Sequence, residues 1–291
     1  MKNFLILIPV YNDWENLNKL LKKINIIAKK NGFIFSILVI NDFSNVGPKI
    51  SFKKNKNLNK ISILNLDNNL GSQRAIATAL KYLIKLNKNF EQDVIIMDAD
   101  GQDDPNVIKE LINCFNKYCP DIVVVERTNR NEPFWFKFLY FFHKTVLFLF
   151  TGNYIKFGNF SLISSKKIKY LVNKSDLWAA YPAAIVNNLK NIKKIRSERK
   201  KRYSGNSKVN FYKLFNHSCR VFSVFKFKIL IFSIIYSTVF FIFFQNDKIL
   251  FYIFFIPLLI SNVYNFYIDF TNKKNFKENI DFLLPKLKKI F

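Results

Sequence analysis

The stretch Val94-Ile95-Ile96-Met97-Asp98-Ala99-Asp100-Gly101-Gln102-Asp103 decides how this chain is read. Four apolar residues run straight into two carboxylates one residue apart. On extended backbone, residues i and i+2 face the same side. Asp98 and Asp100 can therefore both turn toward one divalent cation where the strand leaves its sheet. Hard ions such as Mg²⁺ and Mn²⁺ take oxygen ligands and keep positions for substrate phosphate. Acidic residues also cap strands as plain solvated loops, so the meaning of this pair depends on its surroundings.

Working outward, strand and helix patterns alternate. Phe4 to Val10 is an apolar run ending in Pro-Val-Tyr-Asn. Trp14, Leu17, Leu20, Leu21, Ile24 and Ala28 then recur at helical spacing, with Asn31-Gly32 as the stop. Phe35 to Ile40 is a second strand ending at Asn41-Asp42, and Ile61 to Leu66 a third, followed by Asp67-Asn68-Asn69-Leu70-Gly71. A helix with Ala75, Ala79, Leu83 and Leu86 on one face comes next. After the opening motif, Asp104-Pro105 forms an N-cap and first-turn pair for a helix through Phe115. Asp121 to Val125 is a fifth strand. This alternation predicts an α/β fold with a mainly parallel sheet covered by helices. Ligands of such sheets bind outside the carboxyl ends of the strands. The loops at 9–13, 42, 69–71 and 98–102 all fall on that rim.

The chain holds 291 residues, with 46 basic against 20 acidic side chains, formally +26. That charge suits an anionic membrane surface or acidic substrates. No zinc-finger spacing, basic zipper or RNA-recognition signature is present, so nucleic acid is not expected as a partner. Cys114, Cys119 and Cys219 form an odd set without metal-binding spacing and read as reduced thiols of a cytosolic domain. His143 and His217 are isolated and read as packing or surface residues. The apolar run after Met1 is too brief for a signal peptide.

The last quarter changes character. Ile229 to Asn246 and Ile249 to Ile268 carry no charge. About 20 apolar residues cross a bilayer core, and neither run has the polar face of a soluble bundle helix. They predict a transmembrane helical hairpin around Asp247-Lys248, with Pro257, Asn262 and Asn265 as packing features or, second, as the lining of a lipid path. Lys213, Arg220, Lys226 and Lys228 precede it, and Lys273, Lys274, Lys277, Lys286, Lys288 and Lys289 follow. The positive-inside rule then places the catalytic domain and both termini in the cytoplasm. Phe134 to Phe150 is shorter and charged, and reads as an interfacial amphipathic helix, with a core helix as the alternative. The expected division is a catalytic domain over 1–215, a hairpin over 216–270 and a basic cytoplasmic tail over 271–291.

Seven motifs follow in order: Ile8-Pro9-Val10-Tyr11-Asn12, Asn41-Asp42-Phe43-Ser44, Asn69-Leu70-Gly71, Asp98 to Asp103, Glu126-Arg127-Thr128-Asn129-Arg130, Gly158-Asn159-Phe160-Ser161-Leu162, and Arg202-Tyr203-Ser204-Gly205-Asn206-Ser207-Lys208. In this order they resemble the GT-A catalytic domain of family 2 glycosyltransferases. With the hairpin, the chain is similar to the polyprenyl-phosphate (dolichyl-phosphate mannose synthase-like) hexosyltransferases. The resemblance implies a membrane-anchored inverting enzyme, two-pass and integral, that moves a hexose from a UDP-, GDP- or dTDP-sugar to a polyprenyl phosphate. A homo-oligomer is left open.

The resemblance also implies roles. Pro9, Tyr11, Asn12, Asp42, Asn69, Gly71, Arg74 and Asp98 would bind the nucleotide-sugar, with Pro9 and Tyr11 flanking the base and Asp42 accepting a hydrogen bond from it. Asp98, Asp100 and Gln102 would hold Mg²⁺ or Mn²⁺. Arg127, Arg202, Ser207 and Lys208 would grip the acceptor phosphate, and Asp98, Asp100 and Arg127 would carry catalysis. A lipid phosphate is already ionised, so no strong general base is needed. Asn41, Phe43, Asn159 and Asp104 depart from the family pattern. The alternatives are a family 2 enzyme that uses a sugar hydroxyl of a lipid-linked glycan and a non-catalytic membrane scaffold.

Overall fold

The computed structural model describes residues 3–50, 55–128, 134–205 and 211–282, with backbone alone for 134–137 and 278–282. Arg130, Ser207, Lys208 and the tail beyond 282 lie outside the described residues. The chain divides into two compact units: Met1–Arg130 with Lys156–Lys208, and Asn131–Ile155 with Val209–Lys277.

The first unit starts with β1 (Asn3–Val10), α1 (Trp14–Asn31), β2 (Ile34–Asn41), β3 (Leu58–Asn65), α2 (Ser72–Leu86) and β4 (Val94–Ile96). Gly32 ends α1 in the left-handed conformation at φ 67°, donating to Ala28 O, as the Asn31-Gly32 stop predicts. Asp104 caps a 3₁₀ turn over Pro105–Val107 by accepting from the Asn106 N–H, and α3 (Ile108–Tyr118) continues from it. β5 (Ile122–Arg127) follows.

The strands form one seven-stranded sheet ordered β3-β2-β1-β4-β6-β5-β7, in which β6 is Phe157–Ile163 and β7 is Ile192–Ser197. β1 pairs parallel with β2 and β4, and β3 parallel with β2. β6 runs antiparallel between β4 and β5, and β7 is parallel to β5. The sheet is thus mainly parallel, as expected, but two of its strands escape the sequence pattern. β6 holds Gly158 and Asn159, weak strand formers. β7 reads Ile-Lys-Lys-Ile-Arg-Ser, with the exposed lysines that blunt an edge strand.

Helices α1 and α3 cover one face of the sheet. Leu17, Leu20, Leu21 and Ile24 bury there with Ile6, Ile8, Ile95 and Met97, and Leu111 and Phe115 join them. Each fully buried aliphatic side chain contributes about 1.5–3 kcal/mol. Short helices α5 (Ser165–Leu171), α6 (Ser175–Ala179) and α7 (Tyr181–Asn188) pack against α2. They bury Trp178 and Tyr181 completely.

The second unit is helical: α4 (Phe134–Thr151), α8 (Phe211–Val224), α9 (Lys226–Phe243) and α10 (Lys248–Phe282). The segment 131–155 therefore groups with the C-terminal helices rather than with the expected 1–215 domain. The cause is direct packing of α4 on α9: Phe150 meets Tyr236 edge-on at 5.2 Å, and the Tyr236 hydroxyl donates to Leu149 O at 2.6 Å. α9 and α10 make a hairpin, with Phe240 stacked on Phe254 at 4.5 Å and Asp247 accepting from the Leu250 N–H. At the hairpin's open end Lys226 pairs with Asp269 at 2.8 Å, and Lys273 pairs with it at 2.9 Å. Both helices are long and apolar enough to cross a membrane, over Lys226–Phe243 and Lys248–Lys277.

Candidate active site

The carboxyl ends of β1, β2 and β4 bring three polar loops to one rim, and α2 begins beside them. At the end of β2, Asp42 is almost fully buried, 3% exposed. Its Oδ1 accepts from the Leu70 N–H at 2.7 Å and its Oδ2 from the Gly71 N–H at 2.9 Å. The Asn69 side chain donates to Asp42 O at 3.3 Å. Asp42 thereby fastens the loop that starts α2, a partner the sequence did not indicate. Burial raises its pKa to about 6 against the pull of the two amides.

Gly71 sits at φ 80°, and a Cβ there would meet nothing within 4 Å, so the loop needs its conformation rather than a close approach. Pro9 is buried inside β1, in register with Ile40, beyond the point where β4 stops pairing with β1. Tyr11 is exposed at the rim. Asn12 turns left-handed at φ 53°, donates its N–H to Ser44 Oγ and accepts from the Asn45 N–H. This joins the first two loops. The Arg74 guanidinium lies 5.4 Å from the Trp178 ring.

The Asp98–Asp103 loop is the densest part of the rim. Asp98 Oδ1 accepts from Asn159 Nδ2 at 3.0 Å, and the Asp98 N–H donates to Asp103 Oδ2 at 3.0 Å. Arg127 Nη2 lies 3.2 Å from Asp103 Oδ1 and 3.8 Å from Asp98 Oδ2. Gly158 makes room for that guanidinium, since a Cβ there would stand 2.9 Å from Nη2. Asp100 Oδ1 accepts from the Gln102 N–H at 3.0 Å, an Asx turn. Burial raises the pKa of Asp100, with the charge of Asp98 adding to it. Burial likewise raises Asp103 to about 6, although Arg127 pulls the other way. Burial alone would lower Arg127, but the charges of Asp103, Asp98 and Asp100 hold it above its ordinary value.

A basic strap, residues 199–204, lies along this loop. The Lys200 N–H donates to Gln102 O and the Tyr203 N–H to Asp100 O, both at 3.0 Å. Arg202 Nη1 donates to Asp100 Oδ2 at 3.1 Å, its Nη2 to Asp13 Oδ2, and its Nε to Ser204 O. Arg199 donates to Gln102 Oε1 at 2.5 Å. The Tyr203 ring covers Gly101, whose φ is 82° and whose Cβ would fall 2.4 Å from that ring.

The structure thus brings Asp98, Asp100, Gln102, Arg127 and Arg202 into one cluster and ties Asn69, Gly71 and Asp42 into another. To the first cluster it adds Asp13, Asp103, Asn159 and Arg199. Asp103 and Asn159 stood inside motifs without a role. Asp13 and Arg199 showed no signal, because their partners lie far along the chain. Among the described residues no three His, Cys, Asp or Glu side chains converge as a ready-made cage. The donor set present, two aspartates and a glutamine oxygen, fits a hard cation that shares its other positions with phosphate. Arg202 and Arg199 now bond to the oxygens such a cation would use.

The glycosyl transferase family 2 profile matches residues 5–172, more than half of the chain. The chain belongs to glycosyl transferase family 2. An uncharacterized glycosyltransferase of Synechocystis sp. is 26% identical over 231 residues, 72% of this chain and 65% of the relative. The chain therefore matches under two thirds of that relative's length. Glucosyl-3-phosphoglycerate synthase from Mycobacterium tuberculosis, solved with Mn²⁺, UDP and glucosyl-3-phosphoglycerate, shares the GT-A fold at 9% identity with a TM-score of 0.51. The match covers 78% of this chain and 80% of that one. S. aureus TarS residues 1–349 with UDP-GlcNAc matches at 13% identity and TM-score 0.44, over 96% of this chain and 91% of that one.

Proposed function

We propose that this family 2 glycosyltransferase transfers a hexose from a nucleotide-sugar to a polyprenyl phosphate on the cytoplasmic face of a membrane, inverting the anomeric carbon. The observation that carries the choice of acceptor is the state of the carboxylates. A general base must reach the proton it removes. Asp103, raised to about 6 like Asp42, is 4% exposed and closed in by Arg127 and the Asp98 N–H. Asp100 and Asp13 hold Arg202, while Asp98 is held by Asn159 through Oδ1 and its Oδ2 is assigned to the cation. A sugar hydroxyl would lack a base among these groups, whereas a lipid phosphate needs none. This favours the lipid phosphate over the glycan-hydroxyl alternative.

The lipid side of the proposal rests on α9 and α10. Only 17% and 11% of their apolar windows are buried within the molecule, against the near-complete burial of a soluble core helix. Basic residues gather at the open end of the hairpin, consistent with a cytoplasmic orientation.

In the proposed reaction Asp98 and Asp100, with Gln102, would hold Mg²⁺ or Mn²⁺. When bound, the ion supplies positive charge to the departing nucleotide diphosphate. Arg127 and Arg202 offer guanidinium forks to phosphate oxygens, with Ser207 and Lys208 of the same motif as further donors. Asp42 shapes the nucleotide loop through Leu70 and Gly71. Because the Mycobacterium synthase was solved with UDP and Mn²⁺, UDP-sugars with Mn²⁺ come first in the test. Purified protein is incubated with Mn²⁺ and UDP-, GDP- and dTDP-sugars, with and without polyprenyl phosphate. A lipid-linked sugar from one donor is expected; none from any donor would sink the proposal.

A further inference from the structure

The Asn159 side chain that donates to Asp98 is itself held in a chain of hydrogen bonds. The Tyr181 N–H at the start of α7 donates to Gln73 Oε1 at 2.6 Å. Gln73 Nε2 donates to Asn159 Oδ1 at 2.6 Å, and Asn159 Nδ2 donates to Asp98 Oδ1 at 3.0 Å. A backbone N–H can only donate, so Gln73 must turn its oxygen to Tyr181 and its NH₂ to Asn159. Asn159 must then turn its own NH₂ to Asp98. The direction of every bond is set at one end by the backbone, and the last acceptor is a carboxylate oxygen. Asn159 is 4% exposed, so reversing its amide would leave buried groups unpaired.

We propose that Gln73 and Asn159 are positioning residues that fix Asp98 for its cation: they consume Oδ1 and leave Oδ2, on the Arg127 side, as the oxygen that takes the metal. The relay spans three elements, α7, α2 and β6, and ends at the carboxyl end of β4. An aspartate at 159 would offer no fixed donor to Asp98, so the departure from the family pattern has a physical use. The inference rests on the proposed metal role of Asp98. Outer partners of this kind commonly change metal affinity by about 10–100-fold.

The test is Mn²⁺ alone, titrated into the detergent-solubilised full chain and followed by electron paramagnetic resonance, with Asp98→Asn as the reference for a lost site. Gln73→Glu keeps size and still accepts from Tyr181, but faces Asn159 with an acceptor and so reverses the relay. Its Mn²⁺ affinity is expected to fall roughly tenfold or more. Asn159→Ala is expected to show a similar loss. Tyr181→Phe breaks the buried Ser161–Tyr181 hydroxyl pair, 2.8 Å apart, but keeps the Tyr181 N–H. It is expected to lower thermal stability and leave Mn²⁺ affinity unchanged, which separates positioning from mere support. Gln73→Glu binding Mn²⁺ as tightly as the wild type would overturn the relay. Wild type binding no better than Asp98→Asn would instead remove the metal role of Asp98, and the relay with it.

Discussion

Asp42 shows how one buried carboxylate can fasten a loop. Both of its oxygens are taken by backbone amides, which an asparagine cannot match because its NH₂ would face an N–H. Asp42→Asn is expected to cost about 1–3 kcal/mol in denaturant unfolding. The pH dependence has a definite sign. The folded pKa is raised to about 6 from 3.8, so the folded state holds its proton where the unfolded state has lost it. Asp42's own contribution to stability therefore declines as pH rises from about 4 to about 6, then stays level. Asp42→Asn should remove that component; an unchanged pH profile in the variant would contradict it. Arg202 offers a second case, with three donors aimed at Asp100, Asp13 and Ser204 O. A lysine has no planar fork, so Arg202→Lys is expected to lower transfer about tenfold or more while leaving the fold intact. Circular dichroism and initial rates check both halves. At this scale the sequence revealed Asp98, Asp100 and Asp42, because each stands where an apolar run ends. It could not reveal that Asp13 meets Arg202, 189 positions away.

At the scale of elements, the strap over 199–204 and the Asp98–Asp103 loop form one unit through two backbone bonds and the Tyr203–Gly101 contact. Gly101 is needed twice, for its φ of 82° and for the space under the ring. Gly101→Ala is expected to displace the strap, cost roughly 1–2 kcal/mol and depress activity. Protease nicking near Arg199 should accelerate in that variant; an unchanged pattern would mean that the strap does not depend on this contact. The elements themselves were unevenly legible. β1 to β5 announced themselves as apolar runs closed by polar loops, and Gly32 and Asp104 marked helix ends as propensity dictates. β6 and β7 did not, since one carries glycine and asparagine for the site and the other is a lysine-rich edge. Only strand pairing with β4 and β5 makes them strands.

At the scale of the molecule, the chain carries a GT-A unit and a helical unit, and the latter recruits residues 131–155 from the middle of the sequence. Length and hydropathy made α9 and α10 evident, but the tertiary packing of α4 on α9 lay beyond any local pattern. The membrane proposal predicts that the protein stays with the lipid fraction after alkaline extraction. A single cysteine placed at Gln245, in a chain without its native cysteines, should react only from the non-cytoplasmic side of the membrane. Labelling from the cytoplasmic side would reverse the hairpin.

The central claim is that the acceptor's own charge replaces a general base. It is tested most directly by offering the enzyme, under one donor and Mn²⁺, polyprenyl phosphate and the uncharged polyprenol of equal chain length. Sugar transfer to the phosphate, with none above background to the alcohol, is the predicted result. Comparable transfer to the polyprenol would contradict the account, because one of the rim carboxylates would then have to serve as the base.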